Sequence, residues 1–298
     1  MRISSSLLYQ RGVNAINEQQ SQLSGTQTQL ATGDRLKSPA DDPFAATRIV
    51  SLDEQSSSLD QYTRNADFAK TRLELEETAI TSSINALQRV RELAVQALNG
   101  TNSAEDKLAI SFEVGELADS IFQVSNSVDG SGEYIFAGNQ TAQPAFVDNQ
   151  DGTYTYQGDQ GQRLIQIGPN REVATGDSGF DVFSNIGAVT SDNVMGVVKQ
   201  LEIGLQTNNI NADSLGDLDL AIENLSRYRS GVGARINTID SEKNSIDSVN
   251  LSLEKNRSEL ADLDYADAIS RFQQQLAGLQ AAQQSFVQVQ GLSLFNII

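Results

Sequence analysis

The sequence predicts a mainly α-helical protein with a small inserted β domain, in which the N- and C-terminal segments form a long coiled-coil-like helical bundle. Three observations predict this fold class. Apolar residues recur every seven positions over most of the chain, which is typical of long packed helices. Between about residues 131 and 190 this period gives way to short runs rich in Gly, Asp and aromatic residues. Aromatic residues make up only 6% of the chain, which suits slender bundles better than one thick core.

The first predicted helix covers residues 4–32 and combines an apolar seam with an almost uncharged surface. Between Gly12 and Gly33 the only charged residue is Glu18. A solvated helix normally carries charges on its outer face, so this pattern predicts a helix that is surrounded by protein. The seam residues that we assign to an assembly interface are Tyr9, Val13, Ile16, Leu23 and Leu30.

The last predicted helix, residues 269–298, has the same character, because no charged residue follows Arg271. Two helices of matched and unusual composition are expected to pack on each other; the alternative is two independent Gln-rich tails without fixed structure. We also expect both ends to be largely disordered in the free monomer and to fold on assembly. The seam residues assigned to the assembly interface here are Ile269, Phe272, Leu276, Leu279 and Phe286.

Two breaks separate these end helices from the rest of the chain. The first, residues 33–43, contains a glycine stop and an Asp-Pro restart, which indicate the end of one helix and the start of the next. The second, residues 262–268, interrupts the heptad frame with acidic residues. We expect the two breaks to lie at the same level, and we favour capping and hinge roles over metal binding. The residues assigned to these roles are Gly33, Pro39, Asp41, Asp42, Pro43, Asp262, Asp264 and Asp267.

Long helices are predicted between the breaks, on rows of apolar residues spaced by seven. One row runs from Leu52 to Ala94 and another from Leu218 to Leu260. Ser103 and Asp106 have the spacing of a capping box, which predicts that another helix starts here, between the helices that carry the two rows. The predicted helices cover 44–98, 104–128, 192–206 and 214–261, and the predicted strands cover 134–137, 153–157, 163–167 and 171–174.

These elements divide the chain into nested parts. The ends form a terminal helical domain, the long helices form a rod, and the strands form the insert. The predicted parts are 1–43 and 262–298 for the terminal domain with its linker and hinge, 44–130 and 191–261 for the rod, and 131–190 for the insert.

Composition excludes several classes of function. The chain has no His and no Cys, so it cannot by itself form a Ser-His-Asp triad, a Cys nucleophile or the usual zinc site. We therefore expect no enzyme activity and no cofactor. The net charge of -18 disfavours nucleic acid and anionic membranes as partners. No apolar run predicts a membrane-spanning helix, and the N-terminal residues do not have the pattern of a secretory signal.

Three stretches carry a resemblance to the bacterial flagellin superfamily. They are LATGDRLKSPADDPFAATRI at 30–49, QRVRELAVQALNGT at 88–101 and DLDYADAISRFQQQLAGLQAAQQSF at 262–286. The opening MRISSSLLYQRGVNAI, the prolines of SPADDP and the segment GEYIFAGNQTAQPAF at 132–146 resemble the hook–filament junction branch more than the flagellins.

The resemblance implies a secreted structural subunit of an extracellular axial assembly, the bacterial flagellum. Its implied partners are other copies of itself, the neighbouring hook-side junction protein, flagellin, and a cytosolic export chaperone at the C-terminal helix. The implied export route is the flagellar type III apparatus. A flagellin with a small outer domain and a cytosolic coiled-coil adaptor remain alternatives, and an enzyme in the insert is a remote one.

Overall fold

The structure is a computed structural model that describes residues 2–99, 102–184, 186, 193–211 and 213–295. The predicted fold class, mainly α with a small strand region in the middle, is confirmed. The described residues form six α-helices, four strands and one π-helical turn. The helices are α1 (Arg2–Thr32), α2 (Pro43–Ala97), α3 (Ala104–Ser125), α4 (Val194–Gln206), α5 (Ser214–Ala261) and α6 (Tyr265–Phe295); the strands are β1 (Phe146–Asp148), β2 (Tyr154–Tyr156), β3 (Leu164–Gly168) and β4 (Arg171–Ala174); the π-helical turn is Phe180–Ser184.

The chain divides into two compact units. The first, the terminal unit, consists of Met1–Ser58 and Ser248–Ile298, and the second, the central unit, consists of Leu59–Asp247. Helices α2 and α5 therefore each contribute to both units. The finer division into terminal domain, rod and insert stays a prediction.

Helix α2 buries the whole of its predicted apolar row. Ionic contacts inside the central unit show that α2 and α5 run antiparallel, since Lys70 contacts Asp240 at 2.7 Å and Arg91 contacts Asp219 at 2.6 Å. Along α5 the row is buried as far as Ile246, and its last two members are partly exposed. The buried row of α2 comprises Leu52, Leu59, Ala66, Leu73, Ile80, Leu87 and Ala94.

Helix α3 begins at the predicted capping box. Ser103 accepts a hydrogen bond from the Asp106 N–H at 3.1 Å, and the Asp106 carboxylate accepts one from the Ser103 N–H at 2.9 Å. The prediction that this helix continues to about Val128 was wrong. It ends at Ser125, because Asn126 turns its side-chain amide toward the insert, where it pairs with both backbone groups of Phe146 at 2.9 Å.

The insert contains two separate antiparallel hairpins. Strand β1 pairs with β2, and β3 pairs with β4 through a register shift between Gln166 and Gly168. The strands predicted at 153–157, 163–167 and 171–174 are present with bounds differing by up to one residue, whereas β1 was not predicted.

The strand predicted at 134–137 was wrong. In this segment only Tyr134 makes a β-bridge, to Val128, and the following residues form turns. The Phe136 carbonyl accepts from the Gly179 N–H at 2.8 Å instead of from a neighbouring strand. The Phe136 ring is fully buried and lies edge-on to Phe183, with 5.0 Å between ring centroids. Its apolar character therefore reflects core packing rather than a sheet face.

The central unit has a continuous core to which helices and insert both contribute. Phe146 also lies edge-on to Phe183, at 5.9 Å, and both belong to the same cluster of buried side chains as Leu87 and Leu225. The insert is thus fixed by a shared core with the surrounding helices.

Candidate assembly surface

Helices α1 and α6 pack on each other, as their matched composition predicted. The ring of Tyr9 lies 5.1 Å from that of Phe286, between centroids. Gly12 allows this approach, because a Cβ atom at that position would lie 2.8 Å from the Phe286 ring. A bulkier residue at position 12 would therefore push the two helices apart.

Farther along, the same seam becomes polar. The Gln19 amide donates to the Gln275 carbonyl at 3.4 Å, and Gly278 leaves room for it, since a Cβ there would lie 3.2 Å from the Gln19 side chain. The Gln275 Oε1 atom is buried and has no hydrogen-bond partner among the described residues. An aromatic contact near the N-terminus of α1 thus gives way to a glutamine hydrogen bond farther along this helix pair.

The pair leaves much of its apolar surface uncovered in a single chain. Tyr9 is 51% exposed, Ile269 is 47% exposed and Leu276 is 39% exposed. None of the ten seam residues that the sequence assigned to assembly is fully buried. The other seven, all half-buried, are Val13, Ile16, Leu23, Leu30, Phe272, Leu279 and Phe286.

The two predicted breaks lie side by side in the terminal unit. Asp34 and Asp262 form an antiparallel bridge, and the Leu263 N–H donates to the Gly33 carbonyl at 2.9 Å. Gly33 adopts a φ of 81°, which favours glycine, and a Cβ there would lie 2.9 Å from the Tyr265 hydroxyl. This short ladder joins the end of α1 to the start of α6.

Arg35 holds this junction together and was not predicted from the sequence. Its backbone N–H donates to Ala261 at 2.7 Å and its Nε donates to the Leu260 carbonyl at 2.9 Å, at the C-terminus of α5. Its guanidinium also contacts Asp42 at 3.4 Å. The signal available was an arginine two residues after the glycine stop, inside a break with three aspartates, which suggests a partner for helix-end carbonyls.

The acidic residues of the first break cap backbone groups. Asp42 accepts from the Ala45 N–H at 3.0 Å, with Pro43 as the first residue of α2. This hydrogen bond, together with Arg35, lowers the pKa of Asp42. Asp41 accepts from the Lys37 and Ser38 N–H groups at 3.0 and 2.9 Å, and so closes the turn that contains Pro39.

The acidic residues of the second break also have partners within the chain. Asp264 accepts from the Ala266 N–H at 2.9 Å and so caps α6. Asp267 pairs with Arg271 at 2.8 Å, and Asp262 contacts the Ser258 hydroxyl. Over the described part of the chain, no group of acidic side chains is arranged to hold a metal ion. In the same part, no helix is both long and apolar enough to cross a membrane.

A buried ionic cluster in the central unit was also missed. Arg235 forms a double contact with Asp177, whose N–H donates to Glu76 at 3.1 Å, while Arg72 contacts Asp129 at 2.8 Å. Burial, followed by the nearby charge of Asp177, raises the pKa of Glu76 from 4.5 to about 8. The available signal was the second heptad row of α2, in which Glu76 replaces an apolar residue. That row comprises Ala69, Glu76, Ser83, Val90 and Ala97, all buried.

A groove of about 390 Å³ lies in the terminal unit, and it is polar. The ion pair between Asp53 and Arg257, at 2.7 Å, lies in its wall. Its lining residues are Leu52, Asp53, Ser56, Leu253, Glu254, Arg257, Ser258 and Asp262.

Comparisons with protein families place two matches at the two ends of the chain. The bacterial flagellin N-terminal helical region matches residues 3–141, and the bacterial flagellin C-terminal helical region matches residues 215–298. Between them they cover α1, α2 and α3 and then α5 and α6, including both breaks.

Individual proteins are similar over the full length. The chain is 29% identical to flagellar hook-associated protein 3 of Escherichia coli K12, over 100% of this chain and 99% of that protein. It is 27% identical to flagellin of Bacillus subtilis 168, over 97% and 96%. A putative flagellar hook-associated protein from Vibrio parahaemolyticus has a similar fold, with a TM-score of 0.68, 21% identity and coverage of 74% of this chain and 100% of that one.

Proposed function

Since this chain belongs to the flagellar hook-associated protein 3 family of the bacterial flagellin superfamily, we propose that it joins the flagellar hook to the filament. This family is a structural one and not an enzyme family. The chain acts as a building block whose terminal helices make the contacts of the assembly. Filament attachment, and therefore motility, depends on it.

The half-covered seams of α1 and α6 are the observation that carries this proposal. Apolar residues such as Tyr9, Ile269 and Leu276 are 39 to 51% exposed in the single chain. Several exposed apolar residues along one helix pair are typical of an interaction site. Neighbouring subunits of the flagellum complete the burial.

The distribution of charged residues also favours α1 and α6 as the assembly surface. The described helices α1 and α6 contain only Arg2, Arg11, Glu18, Asp267 and Arg271, which is five of the 60 charged residues of the chain. Because three of these five residues are cations, the remainder of the chain carries all of the excess negative charge and repels other copies. The terminal helices are thus the surfaces through which copies approach each other with the least repulsion.

The partners and location follow from this role. The protein is exported by the flagellar type III apparatus and resides in the extracellular flagellum. It contacts other copies of itself, the junction protein on the hook side and flagellin on the filament side. Before export, a cytosolic chaperone covers the exposed seam of α6.

We propose the same functional division that the sequence predicted. Residues 1–43 and 262–298 form the assembly domain, 44–130 and 191–261 form the rod, and 131–190 form an insert on the outer surface. The seam residues serve assembly, and the capping residues of the two breaks set the junction between assembly domain and rod.

The experiment is complementation of a strain that lacks the gene for this chain. We expect hooks without filaments and flagellin shed into the medium, with both defects corrected by the wild-type chain. A strain that keeps attached filaments without the chain rules out the junction role. Polymerisation of the purified chain into long filaments by itself identifies it instead as a filament subunit.

A further inference from the structure

Glu76 lies where the insert meets helix α2 in the central unit. Its side chain is 1% exposed, and residues 175–178 of the insert pack against it. A Cβ atom at Gly176 would lie 3.8 Å from the Glu76 Oε2 atom. The Asp177 N–H donates to the Glu76 Oε1 atom at 3.1 Å, which attaches the backbone of this segment to α2. Residues 175–178 therefore help to keep water away from Glu76.

The charges around Glu76 balance each other without any charge on Glu76 itself. Three guanidinium groups meet three other carboxylates in this cluster, in contacts that join α2, α5, the turn after α3 and the insert. A negative charge on Glu76 would therefore be a buried charge in excess, which is strongly unfavourable. The charged and titratable groups that face one another here are Arg72 and Glu76 of α2, Arg235 of α5, Asp129 and Glu133 after α3, and Arg163 and Asp177 of the insert.

The second carboxyl oxygen of Glu76 also favours a neutral side chain. Oε2 is buried and has no hydrogen-bond donor among the described residues. An ionised oxygen without a donor is unfavourable in such a site, whereas a protonated oxygen is itself a donor. The Asp177 carboxylate lies beside Glu76 and accepts such a proton. Burial, followed by the negative charge of Asp177, raises the pKa of Glu76 accordingly.

We propose that Glu76 carries a proton in the folded chain, that it shares this proton with Asp177, and that the proton holds the insert on α2. When the proton passes to water, two carboxylates face each other behind residues 175–178, and Arg235 can balance one of them. The segment then opens, so that the Glu76 carboxylate becomes hydrated. The opening is local, because the helices keep the rest of the core. This inference goes beyond the proposed function and does not depend on it.

Hydrogen exchange measured against pH tests the local opening in the purified chain. Opening releases one proton at any pH between the pKa of an exposed Glu76, 4.5, and that of the buried one, about 8. The protection factor of a peptide that contains residues 175–178 should therefore fall about tenfold per pH unit from about pH 5.5 to about pH 7.5. It should also stay well below the protection factor of α3. Equal protection of the two peptides shows that the segment opens only in global unfolding, and overturns the local opening.

Glu76→Gln is the matched variant, because its amide has the shape of the protonated acid and keeps both an acceptor and a donor. Its protection factor should not change with pH. Asp177→Asn removes the neighbouring negative charge, so Glu76 should ionise at lower pH and the dependence near neutral pH should be lost. Glu77→Gln is the control and should behave like the wild type. A tenfold fall per pH unit that persists in E76Q assigns the proton to another group and overturns the proposal.

Infrared spectroscopy detects the proton itself and needs no variant that might misfold. The difference between the wild-type spectra at pH 7 and at about pH 9 should contain the carbonyl band of one protonated carboxyl group. The same difference for E76Q should lack it. Absence of the band from the wild type overturns the protonation of Glu76. A band together with a protection factor that does not change with pH overturns the role of the proton in holding the insert.

Discussion

Helix α2 and the terminal helices share one heptad pattern but differ in how far a single chain buries it. All seven members of the α2 row are buried, and Leu73 and Ile80 have no exposed surface. None of the ten seam residues of α1 and α6 is fully buried, and Tyr9 is half-exposed. The repeat therefore predicts the helix and its seam, while the composition of the remaining faces predicts whether the chain itself or its neighbours cover it.

The largest expected effect comes from removing most of α6. Deletion of residues 276–298 eliminates the seam that neighbours cover, so we expect complete loss of incorporation and of attached filaments. The central unit keeps its own core, and its thermal unfolding should change little. Filament counts and circular dichroism of the purified protein measure the two effects. Incorporation of the truncated chain contradicts the assignment of assembly to this helix.

Hydrogen exchange in a dilute monomer tests the same difference between α2 and the terminal helices α1 and α6. Because no neighbouring copies cover α1 and α6 in the monomer, their amides should exchange about 100-fold or more faster than those of α2 between Leu59 and Ala97. Mass spectrometry of peptides from each helix gives the rates directly. Protection of the terminal helices equal to that of α2 shows that they are already folded in the monomer, and contradicts folding on assembly.

Matched leucine substitutions separate stability from assembly. Leu73→Ala removes a fully buried side chain and should lower the free energy of unfolding by about 2–5 kcal/mol. Leu276→Ala changes a residue that is 39% exposed, so it should leave monomer unfolding nearly unchanged and reduce filament attachment. Urea unfolding and filament counts measure both variants. Equal destabilisation by the two substitutions contradicts the idea that the single chain buries the row of α2 but leaves the seam of α6 to its neighbours.

The buried ionic cluster gives the central unit a pH dependence that the terminal helices lack. The pKa of Glu76 rises from 4.5 to about 8 on folding, because the side chain is buried and faces Asp177, although Arg235 and Arg72 also lie nearby. The folded state retains the proton longer, so the stabilisation is fully present below about pH 4.5 and is lost as the pH rises to about 8.

Glu76→Gln cannot ionise and should therefore gain stability relative to the wild type as the pH rises. We expect the difference in free energy of unfolding to change by on the order of a few kcal/mol between pH 5 and pH 9. Urea unfolding of both proteins across this range measures it, with the variant E77Q as control. A constant difference shows that Glu76 does not titrate in this way.

The sequence predicted the helices, their seams and the junction of the breaks because these depend on local patterns. Gly33 and the Asp-Pro restart are local signals, and the bridge between Asp34 and Asp262 follows once α1 and α6 are paired. The segment 134–137 was misassigned because an apolar run does not reveal the hydrogen-bond partners of its backbone. The Phe136 carbonyl accepts a hydrogen bond from the Gly179 N–H and not from a neighbouring strand. Arg35 and Glu76 were missed because their partners are distant in sequence.

The smallest expected effect comes from two glycine substitutions that differ only in what surrounds them. At Gly231 in α5 a Cβ meets nothing within 4 Å, so Gly231→Ala should raise the free energy of unfolding by about 0.5–1 kcal/mol through helix propensity. At Gly12 in α1 a Cβ would lie 2.8 Å from the Phe286 ring, so Gly12→Ala should weaken filament attachment and leave the unfolding of the monomer unchanged. Urea unfolding and filament counts measure both variants. Because the chemical change is the same at both sites, a loss of attachment with Gly12→Ala alone assigns the α1–α6 seam to assembly, and equal attachment by both variants contradicts that assignment.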